Sequence, residues 1–265
     1  MKQKQIKTNK SLQTAVWFFL LVTVFLILGI IVRTSILFLH MHFDRVHAFT
    51  LLVTKNAQYA EVIAVMPNKN SLSLAKVHTT VGHENVGKEL AIPIDAAISD
   101  PMLTQQEQVT TILGRLVKHF AEENPQKMNI LDAIFLYFQS RRVQLSNIQT
   151  VDISLPYIGS DISSFFVDDA IYKENMTISI VNASNVSGRG GNLAKLFTDM
   201  GGHVISVTTA NSTQPHSSIA SDNQKSYTVN KIISLLPLQQ TPLPSNAVSD
   251  IIITIGEDQG YSTVY

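Results

Sequence analysis

The chain has 265 residues, with 20 Lys and Arg against 20 Asp and Glu, and it contains no cysteine. The absence of cysteine excludes a disulfide framework, thiol catalysis and metal sites built on cysteine ligands. Residues 1–33 hold five of the basic residues and no acid, so the rest of the chain is acidic, which disfavours nucleic acid as a partner.

Residues 14–32 contain no charged side chain, and all but Thr14, Thr23 and Gly29 are strongly apolar. A helix of this length reaches about 28 Å, close to the roughly 30 Å apolar core of a bilayer. The stretch predicts a membrane-spanning helix, and we assign residues 14–39 to the anchor and its juxtamembrane segment. A cleaved signal peptide is the alternative, but its apolar core is shorter and ends at a small-residue cleavage site, which residues 33–37 lack.

The charge around this helix predicts its orientation. Four lysines and no acid lie in residues 1–13, whereas only Arg33 and the mixed pair Asp44 and Arg45 follow closely. The positive-inside rule therefore makes residues 1–13 a cytoplasmic basic tail and exports the chain from about residue 40. We expect a single-pass protein of the cell membrane whose C-terminal domains are extracytoplasmic.

Residues 47–158 show strand patterns followed by helix patterns, which favours an α/β layer domain. Strands are expected at 48–54, 60–66, 71–78 and 148–155. Turn residues at 67–70 predict a hairpin between the second and third strands. Thr104 and Glu107 have the spacing of a capping box, which predicts a helix from there to about residue 123. Further helices are expected at 126–139 and near Ser146.

Residues 159–175 are polar and are predicted to be a linker in which Phe165 and Phe166 dock. Residues 176–258 read as a small two-layer α/β module, and residues 259–265 as a tail. The module's strands are expected at 177–181, 203–208, around 219 and at 250–255. Its helices are expected at 192–200 and 225–236, with a glycine-rich turn at 182–191 and a glycine stop at Gly201 and Gly202.

The motifs of this module, NASNVSG from Asn182, GGNLAKLF, HVISV and a terminal DIIITIGED, resemble the C-terminal domain of LytR-type envelope proteins over residues 175–258. Ala183 stands where that domain usually has glycine. The resemblance implies a bacterial envelope protein with cell-wall polymer or envelope proteins as partners.

The stretch AEVIAVMPNKNSLSLAKVH at residues 60–78 resembles a shortened LytR-CpsA-Psr catalytic domain. In that family acids bind a divalent metal and arginines hold the pyrophosphate of a polyprenyl carrier. Here Glu61 replaces the first acid, the preceding arginine is missing, and residues 76–79 replace the expected Pro-Arg-Asp. Pyrophosphate recognition depends on such arginine contacts, so the resemblance implies a catalytically degenerate domain.

Three hypotheses follow. The preferred one is a non-catalytic binding or scaffolding protein of the cell wall, without cofactor or metal, whose candidate ligand-binding residues are Asn182, Ser187, Gly188, Arg189 and Gly190. A loop at a helix start presents free amide groups to an anion, and Arg189 would assist. The alternative is a divergent glycopolymer transferase that uses Mg²⁺, with Glu61, Asp95, Arg115 and Arg141 as its site residues. The third is an assembly protein whose helices at 104–139 dock a membrane partner.

Overall fold

The structure is a computed structural model, and it describes residues 10–56, 58–78, 86–122, 125, 127–155, 162, 165–223 and 225–258. The chain divides into two compact units, residues 1–41 and 42–265. The predicted class, an apolar N-terminal helix followed by α/β structure, is confirmed.

The first unit contains one long apolar helix, α1 (Lys10–Leu39). Its segment Gln13–Leu39 has 27 residues and a mean hydropathy of 3.0, so by length and composition it can cross a membrane. At 1.5 Å per residue the segment extends about 40 Å, which exceeds the roughly 30 Å apolar core of a bilayer. The apolar residues after Arg33 therefore continue the same helix as the predicted span.

The described residues of the second unit form two five-stranded sheets with their helices. The strands are β1 (Phe49–Asn56), β2 (Tyr59–Met66), β3 (Ser71–His78), β4 (Ala96–Ser99), β5 (Ile148–Ser154), β6 (Thr177–Asn182), β7 (His203–Thr209), β8 (Ser218–Ala220), β9 (Gln239–Thr241) and β10 (Ile251–Ile255). The helices are α2 (Val86–Leu90), α3 (Val109–His119), α4 (Ile130–Arg142), α5 (Asp169–Glu174), α6 (Arg189–Asp199) and α7 (Tyr227–Leu235).

The first sheet has the strand order β4-β1-β2-β3-β5. β1, β2 and β3 are antiparallel neighbours, while β4 runs parallel to β1 and β5 runs parallel to β3. The predicted hairpin between β2 and β3 is confirmed, with a 3₁₀ turn at Pro67–Lys69 and Asn70 in the left-handed region at a φ of 47°. α3 and α4 pack on one face of this sheet and α2 on the other, so every residue of β2 is buried.

Two helix starts differ from the sequence prediction. α3 begins at Val109 and not at the capping box. Thr104 and Glu107 form a separate turn before the helix, in which the Glu107 carboxylate accepts from the Thr104 amide at 3.1 Å and also binds Arg115. α4 begins at Ile130 because Asn129 and Asp132 form a capping box there. The helix expected near Ser146 is a 3₁₀ turn of three residues.

The second sheet has the strand order β7-β6-β10-β8-β9. β6 lies between β7 and β10 and is parallel to both, while β8 is antiparallel to β10. Apolar residues of β6 and β10, such as Ile180 and Ile253, pack with α6 and α7 in one buried cluster. The predicted helix stop is confirmed, since Gly201, which follows the C-cap residue Met200 of α6, has a φ of 94°.

The segments on either side of β6 are more helical than the sequence predicts. The predicted linker contains α5, and the predicted glycine-rich turn ends at Gly188 because α6 begins three residues earlier than expected. Both sheets belong to the same compact unit. The assignment of residues 47–158 and 176–258 to separate domains stays a prediction.

Candidate functional site

Parallel strands β6, β7 and β10 end at one edge of the second sheet, and the predicted binding residues follow β6 there. β7 and β10 flank β6 on opposite sides, so the strand order reverses direction at β6. In α/β sheets, ligands bind beside the carboxyl ends of the strands at the position where this reversal occurs. We call residues 183–188, which connect β6 to α6, the α6 loop. The Glu257 carboxylate after β10 accepts from the Asn185 amide at 2.7 Å, so the two strand ends are joined.

Asn182 holds the α6 loop in shape from the inside. Its side-chain amide donates to the Val186 carbonyl at 2.9 Å, and its side-chain oxygen accepts from the Ser184 hydroxyl at 2.7 Å. Asn182 is 5% exposed. Ser187 and Gly188 are exposed and form the outer surface of the loop.

Arg189 and its neighbouring glycines fix the start of α6 against the sheet. Gly188 has a φ of 83°, a left-handed conformation that favours glycine. The Arg189 guanidinium donates to the Gly256 carbonyl at 3.4 Å, at the end of β10. A Cβ atom on Gly190 would lie 2.9 Å from a Val207 methyl carbon, so the close approach of helix and strand requires glycine there. Backbone geometry therefore accounts for two of the predicted site residues.

A trough of about 800 Å³ lies between α3 and α4 on one side and β3 and β5 on the other. Its lining includes two cations, Lys76 and Arg141, and one acid, Glu107. Its large apolar lining residues are Leu72, Leu74, Val109, Tyr137, Val143, Leu145 and Ile148. A ligand in this trough would meet apolar side chains together with positive charge.

The two cations of the trough are held differently. The Lys76 ammonium donates to the Gln105 carbonyl at 2.6 Å. The Arg141 guanidinium donates to the Tyr137 hydroxyl at 3.3 Å and lies 5.8 Å from the centre of that ring, on the exposed side of α4. Arg141 therefore remains accessible to an anion.

Arg115 joins two carboxylates beside the trough. Its guanidinium donates to Asp100 at 2.5 and 2.8 Å and to Glu107 at 2.6 and 2.8 Å. The hydrogen bond from Arg115 outweighs burial and holds the pKa of Glu107 below its usual value, and these carboxylates raise the pKa of Arg115. The charges of Arg115, Asp100 and Glu107 are therefore paired with one another within the protein. This pairing indicates a structural role for Arg115 and not a role in ligand binding.

Glu61 is enclosed on β2, directly opposite Lys76 of β3. It is 0% exposed, its Oε1 accepts from the Tyr59 hydroxyl, and its Oε2 has no hydrogen-bond partner among the described residues. Burial raises the pKa of Glu61, while the Tyr59 hydroxyl and the Lys76 charge oppose that rise. Glu61 is thus a carboxyl group close to the trough but closed off from solvent.

Asp95 lies elsewhere, at the contact between the layers of the two sheets. It accepts from the Lys231 ammonium of α7 at 2.6 Å and from the Thr50 amide at 2.9 Å. The side chains of Asp95 and Lys231 are 11% and 10% exposed, and both residues line a cleft of about 380 Å³. The structure therefore gathers Glu61, Arg115 and Arg141 around the trough and places Asp95 apart from them.

Sequence reasoning missed Lys76 and Glu107 as trough residues. The hairpin turn that was predicted sets the register of β2 and β3 and pairs Glu61 with Lys76, so that signal was available. Glu107 carried no comparable signal, because its bond to Arg115 depends on where α3 begins. Among the described residues, no group of three or more His, Asp or Glu side chains is arranged to hold a metal ion. The carboxylates nearest Arg115 are occupied by it and do not fit a divalent metal centre.

Comparison with known proteins identifies the C-terminal part of the chain. Residues 175–258 match the family model described as LytR cell envelope-related transcriptional attenuator. No curated protein and no solved structure matches the chain. The second sheet with α6 and α7 lies within the matched residues, so this part of the chain is similar to a LytR C-terminal domain, which indicates a cell envelope-related protein. The likeness of residues 60–78 to the catalytic domain stays a prediction.

Proposed function

We propose that this chain is a membrane-anchored protein of the bacterial cell envelope that binds a cell-wall component without catalysing its transfer. The N-terminal basic residues and α1 support a single-pass anchor whose folded part is extracytoplasmic. The LytR C-terminal domain supports a role in the envelope.

The observation that carries this proposal is the trough with its accessible cation. A volume of about 800 Å³ lies in the range of ligand pockets, which combine an apolar lining with a few fixed polar groups. Arg141 at the lining offers a planar donor that suits carboxylate or phosphate groups. The trough therefore fits an envelope component that carries both an apolar part and an anionic group.

Arg115 and Asp95 are paired with other charged residues, which supports binding of a wall component over transfer of a glycopolymer. Arg115 is engaged by two carboxylates, and Asp95 is engaged by Lys231. A transferase would need free arginines for the pyrophosphate and free acids for its metal. The four residues of the transferase hypothesis do not converge on one open cleft, which weakens that hypothesis.

A binding experiment with matched variants tests the proposal. The full-length chain in lipid nanodiscs is incubated with purified peptidoglycan sacculi that retain their anionic polymers and with sacculi stripped of them. We expect retention on the intact sacculi, weakened about tenfold by Arg141→Ala, since a hydrogen bond to a charged group is worth about 1.5–3 kcal/mol. Arg142→Ala is the control, because Arg142 is exposed on the same helix but does not line the trough. No retention, or equal losses in both variants, would refute the trough as the binding surface.

The α6 loop, the surface predicted from sequence, is tested in the same assay. Arg189→Ala should weaken retention if the loop contacts the wall polymer, and Lys195→Ala on the same helix is its control, since Lys195 is 57% exposed. If Arg189→Ala does not change retention on the sacculi, the α6 loop is not a binding surface, and the trough remains the candidate.

The transferase alternative is measured on the same samples. A transferase would release phosphate or pyrophosphate from a polyprenyl-linked donor in the presence of Mg²⁺, and Glu61→Gln would abolish that release. We expect no release above the level of nanodiscs without protein. Mg²⁺-dependent release that requires Glu61 would overturn the non-catalytic proposal.

A further inference from the structure

The cleft of about 380 Å³ that contains Asp95 and Lys231 is a second candidate site. Its lining comes from residues 42–49, from Asp95 and Lys127, and from one face of α7, all within the second unit. We call it the interlayer cleft. Its volume lies in the range of ligand pockets, and it shares no lining residue with the trough or with the α6 loop.

Lys127 brings an unpaired positive charge to the interlayer cleft. Its ammonium group forms no hydrogen bond or ion pair with any described residue. Burial lowers the pKa of Lys127, and the charge of Asp95 opposes this shift without cancelling it. An anion beside the ammonium would replace the hydration that burial removes.

The backbone at Lys127 is also strained. Its φ is 56°, in the left-handed region that residues other than glycine rarely adopt. Strain of this kind persists where the surrounding structure enforces it, and it is concentrated at functional sites. The position therefore keeps a lysine where glycine would fit the backbone better.

The two acids of the interlayer cleft already have partners. Asp95 binds the Lys231 ammonium at 2.6 Å, so these two charges balance each other. Asp44 accepts from two backbone amides of its own loop at 2.9 Å each, and its second oxygen contacts the His47 ring. Lys127 is thus the lysine of the cleft whose charge is left for a ligand.

The chain places the interlayer cleft close to the membrane that α1 can cross. His42 lines the cleft, and it follows Leu39, the last residue of the candidate span, by three residues that extend at most about 10 Å. Asp132 fixes this entry point, because its carboxylate accepts from the amides of His42 and Phe43 at 2.9 and 2.8 Å. A span of about 40 Å is longer than the roughly 30 Å apolar core of a bilayer and ends among the lipid headgroups.

We propose that the interlayer cleft binds the phosphate group of an anionic membrane lipid, with Lys127 as the main contact and the ring of His42 as a second donor. The His42 side chain is 55% exposed and is therefore open to such a ligand. The inference rests on the part of the proposed function that makes α1 a membrane anchor, and it is independent of the ligand of the trough. Free phosphate has the same chemistry, but the short connection to α1 favours the lipid.

Thermal shifts with soluble lipids test this site. The full-length chain in mild detergent is titrated with dihexanoyl phosphatidylglycerol, dihexanoyl phosphatidylcholine or inorganic phosphate, and its melting temperature is followed by far-UV circular dichroism. A ligand that binds the folded state raises the melting temperature, and we expect phosphatidylglycerol to act at the lowest concentration. An equal response to phosphatidylcholine or to inorganic phosphate would overturn the assignment to an anionic lipid.

Matched variants locate the response. Lys127→Gln should raise the phosphatidylglycerol concentration required for half of the shift about tenfold, because one charge-assisted bond is lost. Lys118→Gln removes the same charge from an exposed position on α3 that does not line the cleft, and it should respond as the wild type does. Equal losses in both variants, or no loss in Lys127→Gln, would refute the site.

Two further substitutions separate binding from a structural role of Lys127. Glycine adopts the left-handed conformation without strain, so Lys127→Gly should melt at or above the wild type without lipid and still require about tenfold more phosphatidylglycerol. Lys127→Arg keeps the charge and should bind as the wild type does. Normal lipid binding by Lys127→Gly, or lost binding by Lys127→Arg, would overturn the proposal.

Alkaline carbonate extraction of membranes distinguishes this proposal from the anchor on which it rests. Release of the wild-type chain by carbonate would refute both the anchor and the lipid site. A chain that stays in the membrane but shows no response to phosphatidylglycerol would refute the lipid site alone.

Discussion

The enclosed pair of Glu61 and Tyr59 makes a sharp prediction about stability. Glu61 has one oxygen bonded to the Tyr59 hydroxyl and one oxygen without a partner among the described residues, and it is fully buried. Tyr59→Phe should therefore destabilise the fold at pH 7.5, because it removes the hydrogen bond that the carboxyl group has. Glu61→Met combined with Tyr59→Phe should stabilise it, because no buried polar atom of the pair remains.

The magnitude follows from the cost of unsatisfied groups. A buried polar atom without a partner costs about 1–3 kcal/mol, more if charged, whereas replacing both partners by apolar groups is neutral or stabilising. The second unit spans residues 42–265, and in domains of that size about 1 kcal/mol changes the melting temperature by roughly 2–4 °C. Tyr59→Phe should melt about 2–12 °C lower than the wild type, and the double variant should melt at the same temperature or higher.

The pH dependence gives this prediction its control. Burial raises the folded-state pKa of Glu61 above the unfolded value of 4.5, despite Lys76, while Glu107 and Asp100 add to the rise. Its contribution to stability is complete below pH 4.5 and is lost as the pH rises through the folded pKa. The advantage of the double variant over the wild type should therefore shrink on acidification from pH 7.5 towards pH 4.5.

Far-UV circular dichroism of the detergent-solubilised chain measures these transitions. Tryptophan fluorescence is unsuitable because the single tryptophan, Trp17, lies in α1, outside the unit that contains Tyr59 and Glu61. A double variant that melts below the wild type at pH 7.5 would refute the reasoning, as would an advantage that does not change with pH.

Three further predictions concern single side chains. Arg115→Lys should lower the free energy of unfolding by about 1–3 kcal/mol in denaturant titrations, because lysine cannot form the bidentate bonds to Glu107 together with the two bonds to Asp100. Glu174→Gln should cost about 1 kcal/mol and remove a loss of stability below pH 4.5, because the bonds that Glu174 accepts at the start of α7 outweigh burial and lower its folded pKa. Gly190→Ala should lower the free energy of unfolding by about 1–3 kcal/mol, because the added Cβ would contact Val207. Gly191→Ala is the control and should be neutral or stabilising, since the space around Gly191 is open. Equal effects of the two substitutions would show that the contact with Val207 does not affect stability.

Local patterns predicted much of the fold correctly. The turn at Pro67–Asn70 has unambiguous residue chemistry, so the hairpin was predicted correctly from it, whereas the register that pairs Glu61 with Lys76 was not predicted. The start of α6 was missed because two of its first three residues are glycines, which are poor helix formers, although Gly190 packs closely against Val207 of β7 in the fold. A local sequence pattern cannot indicate this packing, because the two residues lie on different elements of the chain.

The candidate site was harder to predict than the fold because its charges pair over long distances. Asp95 is acidic and near a strand, which suggested a metal or pyrophosphate role. Its partner is Lys231, 136 residues later in the chain. Arg115 likewise gave no sign that it would be held by Asp100 and Glu107. A charged residue read in isolation therefore could not be assigned to binding or to internal pairing.

The contacts between the two sheet layers bear on the scaffolding role that we propose. The ion pair between Asp95 and Lys231 is nearly buried, and the ring of His47 stacks on Tyr227 at 3.8 Å. Replacing a buried ion pair by apolar residues of similar volume is often neutral or stabilising, whereas removing one partner is costly, so such a pair contributes more to specific orientation than to net stability. These contacts set one arrangement of the layers and thereby the distance between the trough on the first sheet and the α6 loop on the second. If the proposed trough and the α6 loop both bind wall polymer, a fixed distance between them would let one polymer chain be held at two points, because the second contact forms with little further loss of freedom.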